Sequence, residues 1–292
     1  MKTSLHLRWP GLWGAVFILM ASSLSAQTAV VFATDASGNI GRYDVGLGTG
    51  TVLGSLTASG FSPGQVIGLA YDSVTNGVLI FDRSVNKVYS MDANTGTTTL
   101  LFSTPGVQLQ GGAVFGGLIY GIDENLQQLA AFSFAGVAQS LNGPSFNNAS
   151  HASYGSDHVH NLGVNPVTQT MFYVSSKAGV RVIDSSGFPG AEVLASSFVG
   201  SLNPEDVAYY NGDYLVASYD RSIYLLDGTT GVKTTFLTDA QLTAMGIPGS
   251  VSGVTLVYQA VPEPGTGMLL LLGGAVIALL ATKTSKASRL NS

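Results

Sequence analysis

Along most of this chain, short apolar runs alternate with clusters of Gly, Asn, Asp and Thr. The clearest stretch is 66–102, VIGLAYDSVTNGVLIFDRSVNKVYSMDANTGTTTLLF. Runs at 67–71, 78–81 and 87–91 are separated by turn residues, and Asp92-Ala93-Asn94-Thr95-Gly96 leads into a fourth run at 97–102. Apolar alternation bounded by such clusters predicts β-strands, and Asn76-Gly77 is a hairpin signal. Four consecutive antiparallel strands are expected here. The plan recurs at 205–237, with Asn211-Gly212 in place of Asn76-Gly77 and Asp227-Gly228-Thr229-Thr230-Gly231 in place of the 92–96 turn. Weaker copies run over 162–198, with MFYVSS and VRVID, and over 112–141, where Ser133 stands in the place of the aspartate.

The first copy opens at Val30 with VVFATD and then has IGRYD and TVLGSL, so it lacks one strand. The last body segment, VSGVTLVYQ at 251–259, is a strand without the rest of its unit. Together the two complete one four-stranded sheet, as when the two ends of a chain close a propeller. Copies beginning near Val66, Gly112, Leu162 and Val207 are 46, 50 and 45 residues apart, the spacing of propeller blades. The expected fold is therefore all-β, a β-propeller of about five four-stranded blades over residues 27–260. The range is four to seven, since 140–160 has room for a sixth. A β-sandwich or jelly roll also has short strands but does not explain turns repeated at matched offsets.

In the repeated turns the aspartate is expected to accept backbone N–H bonds and the glycine to supply a positive φ. Asp44, Asp92, Asp184 and Asp227 are read as turn formers. Tyr89–Gly96 and Tyr224–Gly231 share the ending Y-x-x-D-x-x-T-G, which resembles the YVTN and PQQ-like propeller repeats. That resemblance implies a fold and no particular activity. A quinone cofactor is not implied, because the only tryptophans, Trp9 and Trp13, precede the repeats. No cofactor is expected.

Composition narrows the class. There is no cysteine, so the body must hold together without disulfides. The stretch 35–263 carries all 17 acidic residues and seven of the 12 basic ones, a net charge of −10. Nucleic acid is not expected as a partner, since binding phosphate calls for a basic surface.

The ends change the picture. Residues 1–26 have Lys2 and Arg8, then an apolar run at 11–20, then small residues up to Ala26, the order of a secretory signal peptide. An uncleaved anchor is the competing reading, but the apolar run is short for a span. At the other end, Pro262-Glu263-Pro264 in 261–264 cannot enter a helix. An uncharged apolar run follows at 265–282, and a basic end at 283–292 carries Lys283, Lys286 and Arg289. A helix of roughly 18 residues is about 27 Å long, enough for a thin hydrocarbon core. The basic flank would stay in the cytoplasm.

This order resembles the PEP-CTERM sorting signal of bacterial exported proteins. The resemblance implies an exosortase-type sorting enzyme as partner, recognition at Pro262, Glu263 and Pro264, and a membrane-anchored precursor. It also implies delivery of the body to the cell surface or extracellular matrix, where extracellular polysaccharide is the partner class to consider. The competing reading is a plain single-pass anchor with a proline-rich stalk.

Candidate chemistry is sparse. His151, His158 and His160 are three of the four histidines and fall within ten residues. His158 and His160 alternate, so on a strand they would face one side and share a transition metal weakly. A solvated polar loop is the plainer reading. Gly-x-Ser-x-Gly, His-Glu-x-x-His and phosphate-loop motifs are absent from the sequence. Glu205-Asp206 and Asp123-Glu124 are adjacent acids whose side chains would face opposite ways on a strand. The sequence thus points to an exported binding or structural module. The alternative is a secreted lyase or hydrolase acting on extracellular polysaccharide.

Overall fold

The computed structural model describes residues 27–146, 159, 161–175, 179–199, 202 and 204–260. The chain divides into a compact body, Ala29–Val257, and a second unit made of Met1–Thr28 and Tyr258–Ser292. Of the second unit only 27–28 and 258–260 are among the described residues. The signal-peptide region, the PEP tripeptide, the apolar tail and its basic end lie outside them. Among the described residues, no helix is long and apolar enough to cross a membrane.

The body is a five-bladed β-propeller. β1 (Gln27–Asp35), β2 (Asn39–Asp44) and β3 (Thr49–Ser55) supply three strands of one blade. β4 (Val66–Asp72), β5 (Gly77–Asp82), β6 (Lys87–Asp92) and β7 (Thr98–Ser103) form the next. β8 (Leu109–Phe115), β9 (Leu118–Asp123), β10 (Gln128–Phe132) and the two-residue β11 (Ala138–Gln139) make the third. β12 (Asn161–Asn165), β13 (Thr170–Ser175), β14 (Gly179–Ile183) and β15 (Pro189–Leu194) make the fourth. β16 (Pro204–Tyr210), β17 (Asp213–Ser218), β18 (Ser222–Leu226) and β19 (Lys233–Leu237) make the fifth. β20 (Val251–Ala260) returns to the first blade, whose order is β20-β1-β2-β3. The final strand is thus the innermost strand of the opening blade, as the incomplete first and last repeats require. Among the described residues, 140–160 adds no sixth sheet.

Burial falls from the inside of each blade outward. β4 and β5 are buried almost throughout, whereas β15 and β19 are largely exposed and β3 has no fully buried residue. Apolar faces of neighbouring blades pack together. Val30, Phe32, Ile40 and Val257 meet Leu69, Ile80, Tyr89 and Met91. Leu79, Phe81 and Phe102 meet Ile119 and Phe132. Phe172 and Val174 meet Val207, Tyr214 and Val216. This blade-to-blade burial supplies the core that a cysteine-free chain needs.

The repeated turns behave as their sequence suggests. The Asp92 carboxylate accepts from Asn94 and Thr95 N–H at 2.9 and 2.7 Å, and Asp227 accepts from Thr229 and Thr230 at 2.9 and 2.6 Å. Gly96 and Gly231 follow with φ of 72° and 68°. Asp44 and Asp184 accept turn N–H groups in the same way. Ser133 substitutes through its hydroxyl, which accepts from Val137 N–H. The two Asn-Gly pairs differ, however. Tyr210 pairs with Asp213 around a two-residue turn in which Asn211 and Gly212 both have positive φ. Asp72 pairs with Gly77, so there the loop is 73–76 and Asn76 alone is left-handed.

Two short helices lie in the connections, α1 (Ser196–Val199) and α2 (Asp239–Ala244). Thr238 and Gln241 form a capping box at the start of α2. Just past its end, Met245 is fully buried against the first blade. A Cβ at Gly41 would come within 2.6 Å of the Met245 Cβ, and one at Gly50 would overlap the Met245 side chain. The two glycines are the socket for that methionine.

Candidate functional site

The five innermost strands bring Gly68, Gly111, Asn161, Asp206 and Gly253 to equivalent positions around the axis. A Cβ on Gly111 would overlap the Asn161 amide, and one on Gly68 would lie 2.6 Å from Asn161 Nδ2. A Cβ on Gly253 would lie 3.1 Å from Gly68 Cα. Three of the five positions therefore have no side chain, and the other two fill the centre. At this level the axis is sealed.

Asp206 is fully buried there. Its Oδ2 accepts from Val254 N–H at 2.6 Å and from Leu69 N–H at 3.2 Å, and its Oδ1 from Val207 N–H at 2.6 Å. The β4–β5 register shifts between Val66 and Leu69, and the carboxyl takes up the Leu69 N–H beside that irregularity. One side chain thus ties the fifth blade to the closing strand and to the second blade. Burial holds the carboxyl well above the ordinary carboxylate range against the pull of the three N–H donors, and the Glu205 charge pushes it further.

One residue nearer the face that carries the blade-to-blade connections are Ile67, Gln110, Glu205 and Ser252. His160, which precedes Asn161 in the chain, lies outside the described residues. Gln110 is completely buried, and neither of its amide atoms has a hydrogen-bond partner among the described residues. Glu205 is pushed up to about 7 by burial, with Arg83 pulling it down. Arg83 is held by Gln65 Oε1 at 2.5 Å and Glu124 at 3.2 Å. A carboxyl that titrates near neutrality beside a cation can accept or donate a proton. As adjacent strand residues, Glu205 and Asp206 are expected to face opposite ways; burial raises both, and the Glu205 charge raises Asp206 further.

On the same face, the second strands of the blades end in Asp35, Asp82, Asp123, Ser175 and Ser218, all buried. Asp35 accepts from Ser37 and Asn39 N–H at 3.0 and 3.1 Å, and Asp82 from Gly64 and Gln65 N–H at 2.8 and 2.9 Å. Asp123 accepts from Asn125 N–H, and the Ser218 hydroxyl donates to the Leu202 carbonyl. Asp35, Asp82, Asp123 and Ser218 fasten loops to blades. Each had a sequence signal in the polar residue closing its blade's second strand.

His151, His158 and His160 lie outside the described residues, as do Pro262, Glu263, Pro264, Lys283, Lys286 and Arg289. Phe146 and Val159, which are described, are buried in one apolar cluster. Among the described residues, no three His, Asp or Glu come together as metal ligands do.

No family model matches the chain, and no curated protein sequence matches it. Among solved structures, a chain of the nidogen/laminin complex is similar with a TM-score of 0.54 and 16% identity, over 80% of this chain and 98% of that one. A Bacteroides caccae protein of unknown function has a TM-score of 0.45 and 10% identity, over 80% and 99% of the two chains. Virginiamycin B lyase from Staphylococcus aureus has a TM-score of 0.40 and 12% identity, over 73% and 68%. At these identities the likeness concerns the fold alone.

Proposed function

We propose that this protein is an exported surface or extracellular-matrix protein, sorted through a PEP-CTERM-like tail, whose propeller serves as a binding or structural module. One observation supports the reading most directly. The closing strand β20 ends at Ala260, immediately before Val261-Pro262-Glu263-Pro264. The blade pairing is complete before the tail begins, so the tail can be removed without opening the ring. The partners are an exosortase-type enzyme, the membrane through residues 265–282, and extracellular polysaccharide.

Intact mass of the mature protein from its own host tests the address. The expected product has lost residues 1–26 and at least 283–292. A mature chain that still carries Lys283, Lys286 and Arg289 overturns the sorting reading in favour of a plain anchor.

Glu205 favours a second reading, a secreted lyase or hydrolase. Its position near the axis and its value of about 7 suit proton transfer to or from a polysaccharide. Release of soluble sugar from extracellular polysaccharide by the wild type, lost in Glu205→Gln, would support it. Equal release by both proteins would exclude Glu205 from that chemistry.

A further inference from the structure

We infer that the open groove between the first and second blades, on the connection face, binds a neutral saccharide. The groove has a volume of about 510 Å³ and is lined by Ala36 and Ser37 on one side and by Thr57, Phe61, Ser62, Pro63 and Gly64 on the other. The proposal deepens the reading of the body as a binding module, by naming a site and a ligand class.

The lining has three chemical properties. First, it is uncharged: none of its residues is ionisable, in a body that is acidic overall. The nearest carboxylates in the chain, Asp35 and Asp82, are buried and occupied by loop N–H groups. An anionic ligand would find no free cation here, since Arg83 is taken up by Gln65 and Glu124, and a cationic one no free anion. Second, it offers one aromatic surface. Phe61 is partly exposed, and its ring centroid lies 4.8 Å from that of the fully buried Tyr89, so the ring is fixed from below. Third, Ser37, Thr57 and Ser62 are exposed, and their hydroxyls make no hydrogen bond with the described residues. An apolar ring face beside free hydroxyls complements a sugar ring, which has an apolar C–H face and a hydroxyl edge.

The walls are rigid before any ligand arrives. Ala58 N–H donates to Ser55 Oγ, Gly60 N–H to the Thr57 carbonyl and Phe61 N–H to the Leu56 carbonyl, closing 55–61 into one compact turn. The two sides are laced together by Leu56 N–H to the Gly38 carbonyl and Val66 N–H to the Ala36 carbonyl, each at 3.0 Å. Asp35 holds the Ser37 side, and Asp82 holds Gly64. A loop ordered in advance loses little entropy on binding.

The test is titration of the full-length chain, in a zwitterionic detergent without sugar, with neutral gluco- and manno-oligosaccharides and with oligogalacturonates. Saturable binding of at least one neutral series is expected, with no binding of oligogalacturonate. Ser37→Trp and Ser62→Trp, both exposed, should fill the groove and weaken binding by at least about tenfold. Phe61→Leu keeps the contact with Tyr89 and should also weaken binding, with unchanged thermal unfolding as its folding control. Absence of saturable neutral-sugar binding, equal binding of the acidic sugars, or binding indifferent to both tryptophan variants would each overturn the proposal. The sorting proposal is read separately by intact mass, so either can fail alone.

Discussion

Asp206 and Glu205 show how much one position depends on its place in the ring. In sequence they are two adjacent acids on a strand. In the fold one seals the axis and the other stands a step away, and burial raises both. A carboxyl whose folded value lies above its unfolded value binds more protons when folded. It therefore subtracts stability as pH rises from the unfolded value to the folded one. For Glu205 that window runs from 4.5 to about 7. Urea midpoints of the wild type should fall across it, by the equivalent of on the order of 1–3 kcal/mol. Glu205→Gln should flatten the fall, and an unchanged slope would remove Glu205 from the account. Asp206→Ala leaves the N–H groups of Leu69 and Val254 without their acceptor and should cost about 2–5 kcal/mol. Neither residue was legible as a site in the sequence. The axis ring of Gly68, Gly111, Asn161, Asp206 and Gly253 emerges only once five strands from five repeats are superposed, and glycine holds only three of its five positions.

At the scale of the element, the strands were legible because apolar alternation and turn residues are local. The loops between them were only partly so. Asn76-Gly77 and Asn211-Gly212 are the same dipeptide, yet one closes a longer loop and the other a two-residue turn. The difference lies in which residues pair across the hairpin, and that depends on register. Glycines divide in the same way. Gly111 has a φ of 49° and packs against Asn161 of the neighbouring blade, whereas Gly60 has a φ of 83° and a Cβ there would meet nothing within 4 Å. Gly60→Ala should therefore lose only the left-handed penalty, about 1–2 kcal/mol. Gly111→Ala must also displace Asn161 and its blade, and should lose more than twice as much or fail to fold. Thermal unfolding of the two variants side by side checks this, and equal losses would mean that the axis is looser than the packing implies.

At the scale of the whole body, closure depends on one strand from the far end of the sequence. β20 is the inner neighbour of β1, its Ser252 hydroxyl donates to the Thr34 carbonyl, and its Val254 N–H reaches Asp206. Val254 and Val257 are buried, Val257 in the cluster shared with the second blade. Removing β20 would expose the inner edge of β1, uncover that apolar face and take one donor from Asp206. An open, flat, apolar strand edge invites pairing with other chains. A chain ending at Ser250 should therefore fail to unfold cooperatively and should aggregate. A chain ending at Ala260 keeps every pairing of the closing blade and should unfold in one transition, at the same midpoint as the full-length protein. The contrast separates closure from sorting. If the chain ending at Ser250 unfolds like the one ending at Ala260, the last strand does not lock the ring. If the chain ending at Ala260 is itself unstable, residues beyond it support the body, and a tail that is cut away could not be the address.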